Sequence, residues 1–217
     1  MVFRLKEQFK GLYKGDTRVA IWEQHRLLYV RIPKSANSSV LAAIDGARKC
    51  RMSGGKIARM NDQWTCFSFV RNPWSRLVSS YRQKASTDAT SKRIVDGVYQ
   101  GFVDKGMPIR ANMSFEEFCE VVCEFPNEKI DKHLQSQAYT LIRNGKAIVP
   151  FIGKVEHMNA DWKTVMDKVG LNNELPHINQ TSGQHYSSYF TSDALINRIA
   201  DRYADDIRYF EYDFVRK

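Results

Sequence analysis

No run of about 18 consecutive apolar residues occurs in the chain, which excludes a membrane-spanning helix. The first fifteen residues, MVFRLKEQFKGLYKG, alternate charge with apolar side chains and lack an apolar core. They do not read as a secretory signal. Cysteine is sparse. Cys50, Cys66, Cys119 and Cys123 form no C-x-x-C pair, and Cys119 and Cys123, four apart, have no matching His or Cys pair. The thiols are therefore expected to be reduced and structural, in a cytoplasmic setting, without a zinc site or any other metal. No repeat, low-complexity block or Pro/Gly/Ser linker divides the sequence, so one domain is expected over residues 1–217. Acidic residues are in deficit: 24 Asp and Glu against 33 Lys and Arg leave a net charge of +9. That balance calls for an anionic ligand, whether nucleic acid, a phosphorylated nucleotide or an acidic polymer. What is present in quantity is core material, 43% hydrophobic and 12% aromatic over 217 residues, which is too much for a disordered tail.

Strands and helices alternate along the sequence. Residues 26–32, RLLYVRI, are bulky and β-branched and stop at Pro33; they read as the first strand. A polar loop, Lys34 to Ser39, leads into a helix from Val40 to about Lys49, and Ser53-Gly54-Gly55 reads as a turn. Residues 64–70, WTCFSFV, form a nearly continuous apolar strand, the pattern of a parallel sheet covered on both faces. Asn72 and Pro73 then have the chemistry of an N-cap and a first helical residue. Residues 87 to 112 are polar, basic and without a period, and are expected to form an irregular insertion or flap. Ser114 and Glu117 make a capping box. Further helices are expected over 131–142, from Asn159 to Gly170, and from Thr191 or Ser192 to about Tyr203, with a strand over 147–152. The expected fold is α/β, with helices on both sides of a mostly parallel sheet.

Two strand–loop–helix junctions carry the chemistry. In the first, IPKSANSS, small residues let the backbone close around a phosphate-like group at a helix start. Lys34 adds charge there and the serines add donors. G-x-x-x-x-G-K-[ST] is absent, which disfavours an ATP or GTP site. Alone, this loop reads equally well as a Ser-rich cap with a solvated lysine. In the second, FVRNPWSRLVSSY, a buried strand delivers Arg71 to the carboxyl edge of the sheet, where ligands bind in open α/β folds. A guanidinium matches a phosphate bidentately. Ser79 lies two turns along the helix. The bland alternative pairs Arg71 with a local carboxylate. Two anion-ready loops on neighbouring strands favour one ligand with two separated anionic groups.

RIPKSANSS resembles the 5′-phosphosulfate loop, and FVRNPWSRLVSSY the 3′-phosphate motif, of sulfotransferases that use 3′-phosphoadenosine 5′-phosphosulfate (PAPS). The chain is most similar to the Golgi-type carbohydrate group that includes heparan sulfate 2-O- and chondroitin 4-O-sulfotransferases. DKHLQSQ, IGKVEHMNADW, LPHINQTS and YADDIRYFEYDF follow the family's order, so the likeness runs from about Leu28 to Phe214. It implies a P-loop-like three-layer α/β/α fold and PAPS as co-substrate, without metal. It implies that Arg31, Lys34, Ser35, Asn37, Ser38 and Ser39 hold the 5′-phosphosulfate, that Arg71 and Ser79 hold the 3′-phosphate, and that 179–182 approach the adenine side. Asn37 and Ser38 stand where the family commonly has Ser and Thr. No anchor or paired luminal cysteine set is evident, which fits a soluble bacterial-type member.

The resemblance further implies a sulfonate transfer to a hydroxyl of a carbohydrate or glycoconjugate. Lys34 would stabilise the bridging oxygen as it becomes negative, and a histidine would serve as general base. His133, in DKHLQSQ, is the candidate among five histidines, with Glu156 as the weaker alternative; a lone helical histidine is more often structural. Two other function classes compete. A nucleotide kinase-like phosphotransferase would need a Walker lysine–serine pair and a magnesium carboxylate. A non-catalytic binder of RNA or acidic polymer would need a basic face with exposed aromatics. Nucleic acid is not the expected partner.

Overall fold

The computed structural model describes residues 16–86, 89, 91, 93–176 and 184–217. These residues fall into two compact units. The first takes residues up to Arg71 and from Gln137 to 176; the second takes Asn72–Ser136 and the described residues from 184 on.

Among the described residues of the first unit, five strands form one sheet: β1 (Thr17–Trp22), β2 (Leu27–Val30), β3 (Arg48–Met52), β4 (Thr65–Val70) and β9 (Phe151–Lys154), in the order β3-β1-β2-β4-β9. β2, β4 and β9 run parallel, while β1 pairs antiparallel with both β2 and β3. The α/β class holds, and the sheet is mixed, its parallel half being the one that carries the two loops expected to bind anions. Alternation explains why β2 and β4 look apolar throughout. Leu27, Tyr29, Phe67 and Phe69 pack with helix α1 (Asn37–Ala43) and helix α7 (Met158–Lys168), through Val40, Ala43, Trp162, Val165 and Met166. Their neighbours Leu28, Val30, Cys66 and Val70, pointing to the opposite face, are just as buried. Both faces are therefore out of water.

Several expectations for this unit need correction. β1 precedes the strand expected to be first. The helix after the first loop ends at Ala43 rather than Lys49, because Gly46, at φ 78°, turns the chain and residues 48–52 become an edge strand. Its exposed Arg48, Lys49 and Arg51 suit an edge that must not recruit another strand. Ser53 is an N-cap, accepting from the Lys56 N–H, and the two glycines open helix α2 (Gly54–Met60). Asn144-Gly145, both at positive φ, make the turn of a hairpin between β7 (Ile142–Arg143) and β8 (Lys146–Ala147) rather than a helix end. The expected strand over 147–152 starts later, at Phe151.

In the second unit, helix α3 (Pro73–Lys84) begins as the sequence predicts: Asn72 Oδ1 accepts from the Ser75 N–H and Pro73 needs no acceptor. Helix α5 (Phe115–Glu124) has the full capping box, and Ser192 caps helix α8 (Asp193–Arg202), which is followed by α9 (Ala204–Phe210). The segment expected to be irregular contains order: β5 (Ile94–Val95) and β6 (Val98–Tyr99) form a hairpin turned by Asp96-Gly97, followed by α4 (Gln100–Val103). Tyr99, Phe102, Met107 and Ile109 lie in the core with Trp74, Leu77, Phe118 and Ile199. The apolar residues there are spaced for a hairpin and turns, so neither a 3.6- nor a long 2-residue period could reveal them.

The helix expected over 131–142 is mostly absent. Only α6 (Gln137–Leu141) forms, and residues 131–136 are turns. The reason lies in side chains from elsewhere in the unit, described next.

Candidate active site

β2 and β4 are adjacent and parallel, with Val30 opposite Ser68. Their carboxyl ends therefore emerge at the same edge, and the residues that follow each are the two anion loops. In the first loop Lys34 has φ 68° and Ala36 φ 54°, with Ser35 between them at negative φ. Left-handed backbone at residues with a Cβ costs about 1–2 kcal/mol each. Such alternation is the hand of a nest, in which successive N–H groups converge on an anion. α1 is only seven residues long, so the nest and the nearby cations, more than a macrodipole, suit this loop to an anion. Arg31 Nε donates to Asn37 Oδ1 at 3.2 Å, tying the entry of the loop to the helix it opens. Burial lowers the proton affinity of the Arg31 guanidinium, and Arg18 adds to the effect. Lys34 and Ser39 are half-buried and Ser38 is exposed.

Ser35, expected among the ligand-facing hydroxyls, points inward. It is fully buried, and its Oγ donates to Gln137 Oε1 at 2.9 Å. The same Oε1 accepts from the Arg71 N–H at 2.9 Å, and Gln137 Nε2 donates to the Arg71 carbonyl at 2.8 Å. Gln137 is 1% exposed. One carboxamide at the start of α6 thus clamps both anion loops, one through a side chain and one through both main-chain groups. The sequence reading missed it. The only signal was its place at the end of DKHLQSQ, and a glutamine 102 residues from one partner and 66 from the other has no local signature.

In the second unit, Ser79 is half-buried on α3. His133 sits in the 131–136 turn, whose carbonyls are taken by side chains. Arg76 donates to the carbonyls of Gln135 (2.7 Å) and Lys132 (3.4 Å), Ser80 Oγ to that of His133 (3.2 Å), and Tyr203 Oη to that of Leu134 (2.8 Å). Ser136 Oγ donates to Asp206 Oδ1 at 2.5 Å. Four successive carbonyls are thereby satisfied without a helix, which is why the periodicity misleads here. Arg76 is 2% exposed, and burial lowers its proton affinity.

Asp131 Oδ1 lies 2.6 Å from His133 Nδ1 and also accepts the His133 N–H at 2.9 Å. Burial pulls the imidazole down to about 4, overriding the Asp131 carboxylate, which acts in the opposite direction. Burial pushes the Asp131 carboxyl up, but its bonds with His133 outweigh that and hold it below the usual range. With Asp131 ionised, Nδ1 is the protonated nitrogen and Nε2 carries the lone pair. At neutral pH His133 is thus an uncharged base.

The remaining candidates are placed less tellingly. Glu156 and His157 are exposed in the first unit, and the His25 ring meets that of Trp22 at 4.2 Å, tilted by 58°. His185 is half-buried in the second unit. His177 and 179–182 lie outside the described residues. Among the described residues no group of three or more His, Cys, Asp or Glu could hold a metal ion, and no helix is long and apolar enough to cross a membrane.

Parallel strands whose carboxyl ends lead into a nest-like loop and a clamped arginine define an α/β protein with two loops held together at one sheet edge. A sequence model described as the sulfotransferase family matches residues 17–213, and the chain belongs to that family. It is 26% identical to carbohydrate sulfotransferase 14 of Danio rerio over 178 residues, 70% of this chain and 48% of that one, so it spans about half of that relative. It is 32% identical to an uncharacterized protein of Archaeoglobus fulgidus over 130 residues, 59% of this chain and 87% of the relative. No solved structure matches it significantly.

Proposed function

We propose that the protein transfers the sulfonate of PAPS to a hydroxyl of a carbohydrate or glycoconjugate. The observation that carries this reading is the Gln137 clamp, which spends a buried side chain on holding two anion loops together at one sheet edge in a sulfotransferase-family chain. The nest loop, with Arg31, Lys34, Asn37, Ser38 and Ser39, takes the 5′-phosphosulfate; Ser35 supports it from below. Arg71 takes the 3′-phosphate, and Ser79 is assigned to the same group. The acceptor oxygen forms a bond to sulfur as the bridging S–O bond breaks. The bridging electron pair stays with the departing PAP (3′-phosphoadenosine 5′-phosphate), where Lys34 offsets the new charge, and the hydroxyl proton passes to His133 Nε2.

The chemistry asks little of the protein beyond positioning and charge, so no further catalytic group is required. The test is transfer of labelled sulfonate from PAPS to a panel of glycans, glycolipids and small alcohols, with thermal shift by PAP, ATP and RNA alongside. A stabilisation specific to PAP, together with label on a sugar hydroxyl, is the expected result. Equal stabilisation by ATP, or label on none of the acceptors, counts against the reading. His133→Ala should spare PAP affinity and lower kcat by about 10²–10⁴-fold.

A further inference from the structure

Three segments of the second unit converge on the His133 ring. From its own segment come Asp131, at Nδ1, and the charged Lys132. From the hairpin comes Tyr99, 5% exposed, whose ring meets the imidazole at 5.5 Å and 89°. From the last turn of α3 comes Lys84, 3% exposed, whose ammonium sits 3.2 Å from the centre of the Tyr99 ring. Arg93 lies 5.8 Å from that same ring. Gly101 leaves room for this meeting: a Cβ there would lie 2.4 Å from Tyr99 Cε1 and 3.1 Å from Asp131 Oδ2.

We propose that Asp131, Tyr99 and Lys84 are positioning residues for His133, the carboxylate fixing which ring nitrogen carries the proton, the tyrosine fixing the ring plane, and the ammonium opposing a second proton, so that Nε2 stays an open lone pair. The proposal deepens the assignment of His133 as the acceptor's base and rests on it.

The arrangement makes sense of an otherwise costly lysine. A buried ammonium is expensive unless it is compensated. Here the compensation is a ring face and the Asp131 carboxylate, and burial still brings Lys84 down to about 8. At neutral pH it is mostly charged. The two charges act on His133 in opposite senses: Asp131 favours the imidazolium, while Lys84 and Lys132 disfavour it. Burial keeps the imidazole neutral against the Asp131 pull, and Lys84 and Lys132 add to burial in the same sense, leaving the orientation without the protonation. Nε2 has no hydrogen-bonding partner among the described residues, as a base awaiting its substrate requires.

The opposed charges give a two-sided test. The His133 imidazole is titrated by NMR, and kcat is followed against pH, in wild type, Lys84→Met, Lys84→Arg and Asp131→Asn. Lys84→Met should move the His133 midpoint, and the acidic limb of kcat, to higher pH. Lys84→Arg, which keeps the charge, should restore the wild-type midpoint if Lys84→Met fails to fold or misplaces Tyr99. Asp131→Asn should move the midpoint to lower pH and cut kcat by roughly 10²–10⁴-fold, because an amide can also bind the wrong tautomer. PAP affinity should stay constant throughout. Midpoints that do not move, or that move in the same direction in Lys84→Met and Asp131→Asn, overturn the proposal while leaving an inactive His133→Ala to support the base. A His133→Ala enzyme of wild-type rate removes the base and these roles with it.

Discussion

Replacing Gln137 by leucine removes one carboxamide and breaks three hydrogen bonds at once. The Ser35 hydroxyl, the Arg71 N–H and the Arg71 carbonyl lose their partner. Their situations differ. Ser35 is fully buried but can rotate its hydroxyl, whereas Arg71 as a residue is only half-buried. A buried polar group left unmet costs about 1–3 kcal/mol. Of the two Arg71 groups, one left unmet and the other re-solvated give a loss of roughly 1–3 kcal/mol. For a chain of this size each kcal/mol lowers Tm by about 2–4 °C, so Tm should fall by about 2–12 °C. The loss in ligand binding should be larger than stability alone explains, since loops no longer held together must be ordered by the ligand. The assay is a pair of thermal melts with and without PAP, backed by calorimetric Kd values. Gln137→Glu is the sharper companion: it keeps the oxygen that accepts from Ser35 and the Arg71 N–H but turns a second oxygen toward the Arg71 carbonyl and brings a negative charge to the donor loops. It should bind PAP worse than leucine does. A Gln137→Leu protein that melts with wild type and binds PAP with wild-type Kd would refute the clamp.

Three other outcomes follow from the same geometry. Lys34→Ala should lower turnover by orders of magnitude while PAP binding falls less, because Arg31 and the nest remain; a folded variant of near-normal turnover takes Lys34 out of the chemistry. Arg71→Ala should weaken PAP by about 1.5–3 kcal/mol and leave adenosine 5′-phosphosulfate little changed, and equal weakening of both, measured by calorimetry, would show that Arg71 does not read the 3′-phosphate. His133 titrates near 4 in the fold against 6.5 when unperturbed, so the unfolded chain binds the extra proton first as pH falls. This group should therefore cost the fold roughly 3 kcal/mol progressively between about pH 6.5 and 4, and nothing above. Urea midpoints of His133→Asn should lose that part of the acid sensitivity, and an unaltered pH dependence would mean that the imidazole is not buried neutral.

The sequence was most informative where the determining interactions are local. Asn72-Pro73, the Ser114–Glu117 box and Ser192 start helices because a cap and its acceptors lie within three or four residues. The buried character of β2 and β4, and the two loops that follow them, could be read directly because strand periodicity and loop chemistry are written in consecutive residues. The same locality misled elsewhere, and two places show how. Residues 131–136 have the composition of a helix, but Arg76, Ser80 and Tyr203 claim their carbonyls from distant positions. Residues 48 and 49 read as a helix tail, but β1 draws 48–52 into a ladder.

What the amino-acid sequence determined by itself is the class: an α/β chain with two loops at the ends of parallel strands and the family likeness they carry. Only the tertiary structure decided which side chains stand behind those loops. Ser35 turns inward, Gln137 binds two loops far from it in sequence, and Asp131, Tyr99 and Lys84 gather around one imidazole. The physical reason is the range of the forces. Capping and pleating act over a few residues, whereas the satisfaction of a buried polar group is decided by whichever partner the folded chain brings within about 3 Å, at any separation along the sequence.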